Sequence, residues 1–469
     1  MIKISMRHID VGILLIALLS GCSKNKPEAQ VSAAMVSTVD QQTLKGWGCC
    51  PLWIGNLDVS TQPLTIQVTY HMGASMIRLS ELAEVGDING NINETAADEL
   101  CRAIQITVNN GLPYLLSNWS PPVCMKTISV DGSISNDTLV YLQTSKEKSF
   151  CNFVIKLFDY ISKTKGLPLP SAYSLQNEPR CETQWQGCIY EPVQYMRVAK
   201  LMRTYLDSAG YSNVMMLGPE DGYYTSGNDV SGNFGFLGGA GFPFLKDIIF
   251  NKAIGAISSH SYEWPPYTSN IEFDEWISAC DTWGKDRWQT EYCYIEDTIS
   301  PHTIGTVRRL IADLAYFKNN YWFTWTVNDG WGHNVPDALC YGDGVTYLNK
   351  KPAYFVLKKL FTSVPLGSKV RRMTSNDYDL EYSNATRMDM VAFKSDTNMV
   401  AVIVNPTNTF KRTTISGLIG SSAQVFQMAT TKNNIDMTLV CLRIITSGTI
   451  QSIDIPYKSI TIVVASSGK

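Results

Sequence analysis

The chain has 469 residues, of which 45% are hydrophobic, 17% charged and 11% aromatic, with 39 basic against 42 acidic side chains. Such a length exceeds one ordinary domain, so a large domain with a smaller companion is expected, and the composition excludes a disordered chain or a coiled coil. A formal charge of -3 leaves no electrostatic footprint for nucleic acid or for an anionic membrane surface.

The first element is a leader. "MIKISMRHID" carries Lys3 and Arg7, and "VGILLIALLSGC" is an apolar run too short to span a bilayer that closes on small residues before Cys22. This reads as an export signal. Leu19-Ser20-Gly21-Cys22 resembles the lipobox of bacterial lipoproteins. The resemblance implies a signal peptide over 1–22, lipidation of Cys22, and an exported protein anchored by that lipid alone, periplasmic or at the cell surface, in the outer membrane of a Gram-negative host. A plain secretory signal with an incidental cysteine is the alternative. Residues 23–40 are polar and small and read as a flexible tether.

From Leu44 onward, short apolar runs alternate with helix-period segments, the pattern of βα units around a parallel sheet. Strands are expected at 44–53, 76–82, 112–119, 172–178, 214–220, 254–262, 287–292 and 321–327, with helices such as "AADELCRAIQITVNNG" and "EPVQYMRVAKLMRTYLDSAG" between them. Eight such units predict a (β/α)8 TIM barrel over 41–365. Beyond it, short alternating runs such as "MVAVIVNP" and "SITIVVAS" predict an antiparallel, β-sandwich-like side domain over 366–469.

Of the twelve cysteines, Cys181 and Cys188 are spaced to staple one loop, while Cys101, Cys151, Cys280 and Cys293 read as buried thiols. No CxxC pair occurs and the five histidines are scattered, so neither a metal site nor another cofactor is indicated.

In such a barrel the chemistry sits at the C-terminal ends of the strands. The fourth strand closes on Asn177-Glu178 and the seventh on Thr290-Glu291-Tyr292, and these strands lie across the mouth from one another. Two opposed carboxylates are what glycoside hydrolysis requires, one to protonate the leaving oxygen and one to attack the anomeric carbon.

"SLQNEP" and "WQTEY" resemble the acid/base and nucleophile segments of the clan A retaining glycoside hydrolases. With "GWGCCPLWIG", "NWSPPVCMK", "GPED" and "SSHSY", the chain resembles glycoside hydrolase family 30 over roughly residues 40 to 469. In that family, residues before the first barrel strand join the side domain. The resemblance implies Glu178 as acid/base, Glu291 as nucleophile, and carboxyls about 5 Å apart. It also implies Asn177 on the sugar 2-hydroxyl, Arg78 beside Glu291 keeping it ionised, and Tyr262 donating to Glu291. His260 is left between a sugar ligand and a core histidine.

Sugars stack on exposed aromatic faces, so Trp119, Trp185, Tyr223, Tyr224, Trp264, Trp325 and Trp331, which end or follow barrel strands, are expected as subsites, whereas Trp47, Trp276 and Trp288 are expected to pack. Within the family the layout, with "WIG" after the first strand and "DG" before the final helix, favours a xylan-type β-glycan. The loop after the eighth strand has no arginine and reaches Lys350 and Lys351 only near its end, which argues against a requirement for glucuronate side groups. A β-1,6-glucanase, a β-1,6-galactanase or a glucosylceramidase-like β-glucosidase are the alternatives within the family. A glycan-binding surface lipoprotein without catalysis is the alternative of another class. Nothing in the sequence indicates an oligomeric state.

Overall fold

Short runs that are apolar throughout become strands covered on both faces, and those with a 3.6-residue period become the helices that cover them. A computed structural model describes residues 29–51, 63–127, 141–179, 187–222, 247–262, 277, 280–293, 299–328, 338–376, 388–429 and 434–467. After an N-terminal strand β1 (Gln30–Val36), the barrel strands follow in chain order: β2 (Gly46–Cys49), β3 (Met76–Glu81), β4 (Tyr114–Asn118), β5 (Ala172–Ser174), β6 (Met215–Asp221), β7 (Ala256–Ser259), β8 (Asp286–Gln289) and β9 (Tyr321–Thr324). Each pairs in parallel with the next, and β9 pairs with β2 to close the barrel. The helices are α1 (Pro63–Met72), α2 (Glu94–Asn109), α3 (Glu147–Asp159), α4 (Pro192–Ser208), α5 (Ile248–Ala253), α6 (Ile299–Ala315) and α7 (Pro352–Ser363). No helix among the described residues is long and apolar enough to cross a membrane.

The barrel floor is one layer. Met76, Leu115, Ala172, Leu217, Ala256, Trp288 and Phe323 come from seven consecutive strands and form a single buried cluster. The eighth strand, β2, contributes glycines because the floor aromatics take the space its side chains would need. A Cβ on Gly48 would lie 2.0 Å from Phe323 Cδ1, and one on Gly46 2.0 Å from Tyr321 Cε1. Between these glycines Trp47 points outward, stacks on Phe361 of α7 at 4.7 Å and meets Phe393 edge-on at 5.9 Å. Trp47 and Trp288 therefore pack, as expected from the sequence, while Trp276 lies outside the described residues.

Phe393 belongs to the side domain, whose strands are β10 (Lys369–Ser375), β11 (Asp389–Lys394), β12 (Asn398–Asn405), β13 (Lys411–Ser416), β14 (Ser422–Ala429), β15 (Asn434–Ile444), β16 (Ile450–Ile455) and β17 (Ser459–Ser466). Their order is β15-β14-β17-β12-β11-β10-β1-β13-β16. Alternation decides the two faces. On β12, Val400, Val402 and Val404 join the cluster shared with α6 and α7, while Met399, Ala401 and Ile403 join a second cluster with residues from both ends of the strand order. The sheet thus folds over itself on one face and docks on the barrel with the other. Arg308 of α6 and Asp389 of β11, 2.6 Å apart, add an ion pair to that junction.

The expected tether over 23–40 needs correction. Gln30–Val36 is strand β1, antiparallel to β10 and parallel to β13, so it is part of the side domain. Its inward residues Ser32, Ala34 and Val36 are buried; two of the three are small, so the alternation is faint in the sequence. The leader and Cys22 lie outside the described residues. Cys101, Cys151, Cys280 and Cys293 are buried thiols, as expected. Cys188 is also a free, buried thiol, and its expected partner Cys181 lies outside the described residues.

Candidate active site

The ends of five other barrel strands converge on Arg78 of β3. Alternation along β3 sends Ile77 and Leu79 outward into the helix layer and Arg78 inward, where its side chain is wholly buried. Its guanidinium is divided among four neighbouring strand ends. Nε and Nη2 donate to Glu220 Oε1 and Oε2 at 3.0 and 3.2 Å, Nη1 donates to Glu291 Oε2 at 2.9 Å, and Nη2 also reaches Asn177 Oδ1 at 2.6 Å and Ser117 Oγ at 3.1 Å. Nη1 lies 3.8 Å from Cys50 Sγ.

Asn177 and Glu178 are consecutive, so strand alternation alone would send them to opposite faces. Glu178 breaks the alternation with a φ of 43°, in the left-handed region that non-glycine residues seldom occupy. Its N–H donates to the Glu220 carbonyl at 2.9 Å, while that of Asn177 donates to the Asn118 carbonyl at 2.7 Å. Both side chains thereby face the mouth. Glu178 Oε1 lies 2.9 Å from His260 Nδ1, and Tyr262 Oη donates to Glu291 Oε1 at 3.0 Å. His260 Nδ1 is 3.8 Å from Glu291 Oε1, and an oxygen of each glutamate and this nitrogen all lie within 4.8 Å of one another.

Charge in this cluster is set by burial and by neighbours. For Glu220 burial opposes ionisation, but Arg78, then His260 and the Ser117 hydroxyl outweigh it and hold the carboxyl down at about 2. For Glu291 burial prevails: with Glu178 adding to it, it lifts the carboxyl above its ordinary value against the pull of His260, Arg78 and Tyr262. Arg78 thus favours ionised Glu291, as expected, but it shares its guanidinium with Glu220 and does not offset the whole of the burial. Burial favours neutral His260, but Glu291 and Glu178 outweigh it and raise the imidazole. Burial also pushes the Cys50 thiol up to about 12, so it is not a nucleophile.

Glu178, His260 and Glu291 are spaced as the ligands of a metal ion would be. However, both Glu291 oxygens already accept from Arg78 and Tyr262, and a guanidinium 2.9 Å away repels a cation. The cluster therefore fits an opposed carboxylate pair better than a metal centre.

The structure brings together Glu178, Glu291, Asn177, Arg78, His260 and Tyr262. His260 is fully buried and bonds Glu178, so it is more than an idle core residue. Trp119 and Trp325 also reach the site, but not as exposed platforms. They are 4% and 3% exposed, their rings are 5.7 Å apart, and with Cys50, Leu82 and Cys293 they form a buried wall, with Arg78 5.8 Å over the Trp119 ring. Trp185, Tyr223, Tyr224, Trp264 and Trp331 lie outside the described residues. Glu220 and Ser117 were not expected at the site, although "VMMLGPE" ends its apolar run on a glutamate just as the Glu178 segment does.

No family model and no curated protein matches the sequence. Among solved structures, a family 30 endoxylanase from Clostridium papyrosolvens C71 is similar at a TM-score of 0.69 and 18% identity, over 93% of this chain and 100% of that one. A family 30 subfamily 8 xylanase from Clostridium acetobutylicum is similar at 0.70 and 17%, over 93% and 100%. An endo-β-1,6-glucanase is similar at 0.60 and 16%, over 93% and 94%. At these identities the likeness establishes the fold: the chain has the (β/α)8 barrel and side β domain of family 30 glycoside hydrolases.

Proposed function

We propose that the protein is a retaining β-glycoside hydrolase that cleaves a β-glycan, xylan-type in the first instance, through a covalent glycosyl-enzyme. One observation carries this reading: an oxygen of Glu178 and one of Glu291 lie within 4.8 Å of each other. Retention needs carboxyls roughly 5 to 5.5 Å apart, whereas inversion needs about 6.5 to 9.5 Å so that a water fits between.

The assignment of roles follows from what holds each carboxylate. Glu291 has one oxygen on Arg78 and the other on Tyr262, so its position is fixed, as a nucleophile's must be. Glu178 is the more exposed of the two and bonds an imidazole, which suits a group that gives up a proton and regains it. In the first step a Glu291 oxygen bonds the anomeric carbon, the glycosidic C–O bond breaks, and the Glu178 proton goes to the leaving oxygen. In the second, Glu178 takes a proton from water, whose oxygen attacks the anomeric carbon and releases Glu291. Asn177, anchored through its Oδ1 on Arg78, has its amide donors available for the 2-hydroxyl.

Two of the similar structures are xylanases, which supports the xylan-type reading. Lys350 Nζ sits 5.2 Å over the Tyr354 ring and Lys351 is buried, which supports unsubstituted xylan as the form proposed. Azide tests the roles. With an aryl β-glycoside it should restore turnover to Glu178→Ala as the β-glycosyl azide, by attack on the glycosyl-enzyme, and to Glu291→Gly as the α-glycosyl azide, by single displacement. The reverse pairing of products would overturn the assignment.

A further inference from the structure

We infer that Glu220 is the positioning residue that ties both carboxylates of the proposed glycosidase together, its carbonyl holding Glu178 and its side chain holding Glu291 through Arg78. This rests on the catalytic reading above and goes beyond it, since neither the sequence motifs nor the reaction calls for a third carboxylate. Glu220 is the penultimate residue of β6, and its side chain is wholly buried. It grips Arg78 with both oxygens at 3.0 and 3.2 Å, accepts from Ser117 Oγ, and through its backbone accepts the Glu178 N–H at 2.9 Å. A buried bidentate pair of this kind fixes the plane of a guanidinium as a single contact does not. Arg78 Nη1 is thereby aimed at Glu291 and Nη2 at Asn177.

The same pair sets how much positive charge Glu291 feels. Among the described residues, the titratable and charged groups facing the cluster are Cys50 after β2, Arg78 on β3, Glu178 after β5, Tyr195 on α4, His260 and Tyr262 after β7, and Glu291 and Cys293 after β8. Of these, Arg78 alone is a fixed cation. Glu220 shares that charge, so Glu291 is oriented by a guanidinium already paired with a second carboxylate. Loss of the Glu220 charge has a definite sign. Removing an anion favours ionised Glu291 and disfavours the His260 cation, so both titrate at lower pH.

The test compares the full chain with Glu220→Gln and Glu220→Asp. For Glu220→Gln the expected result is a bell-shaped pH profile of kcat/KM on an aryl β-glycoside displaced to lower pH by about one pH unit. kcat at its maximum falls at least tenfold, roughly the effect of losing one charged hydrogen bond. In parallel, histidine-labelled protein followed by NMR, with the His260 signal identified by its loss in His260→Gln, should show that signal titrating at lower pH. Glu220→Asp keeps the charge and shortens the reach, so its bell stays in place while kcat falls several-fold. A Glu220→Gln protein with the wild-type bell and His260 midpoint would overturn the inference. If Glu220→Gln does not fold, the Asp variant decides: a bell displaced to lower pH, or an unchanged kcat, overturns it. A wild type inert on every glycoside is instead a failure of the glycosidase reading, and the His260 titration still decides the role of Glu220.

Discussion

Glu178 and Glu291 are legible in the sequence because each ends an apolar run where an ordinary turn would do. Glu220 carries the same signal and passes unnoticed, since "GPED" reads as a strand terminus until Arg78 is seen to bind it twice. The burial of Trp119 and Trp325 is not legible at all, because exposure at a barrel mouth depends on which neighbours close over it. Glu81 offers a prediction at this scale. It ends β3 on the outer face, is 1% exposed, and has one oxygen without a partner among the described residues. Burial, against the pull of the Tyr173 hydroxyl, raises its carboxyl from 4.5 to about 8. The folded state therefore holds a proton that the unfolded chain releases. The stability this contributes is complete below about pH 4.5 and is lost as pH rises through 8, at about 1.4 kcal/mol per pH unit. Thermal unfolding from pH 5 to 9 should show the wild type losing a few kcal/mol relative to Glu81→Gln; parallel curves would mean that Glu81 is already ionised in the folded state.

At the scale of elements, the eight barrel strands are readable because each combines an apolar run with a following helical period. Strand β1 is not, because its inward positions are mostly small and its partners lie more than 300 residues away in the sequence. The Gly46-Trp47-Gly48 stretch joins these levels. Its glycines admit the floor aromatics, and its tryptophan bridges α7 and the side domain through Phe361 and Phe393. Trp47→Ala should cost about 3 to 5 kcal/mol by emptying that junction. Chemical denaturation is the measurement, and a loss under about 1 kcal/mol would mean that the junction re-forms around the gap.

For the whole molecule, the side sheet docks one face on α6 and α7, behind the strand ends that carry the site, and β1 stitches the N-terminal side of the barrel into that sheet. The barrel thus holds oxygens of Glu178 and Glu291, more than a hundred residues apart in the chain, within 4.8 Å of each other across one mouth. The fold follows from the sequence pattern. The double-displacement proposal rests on the carboxylate spacing. Its most direct test is proton NMR of the anomeric signals during the first minutes of xylan or aryl β-xyloside hydrolysis, wild type beside Glu291→Gln. The account predicts that the β-anomer appears first and mutarotates to the mixture, with Glu291→Gln inert. An α-anomer first, or a Glu291→Gln protein as active as the wild type, would contradict it.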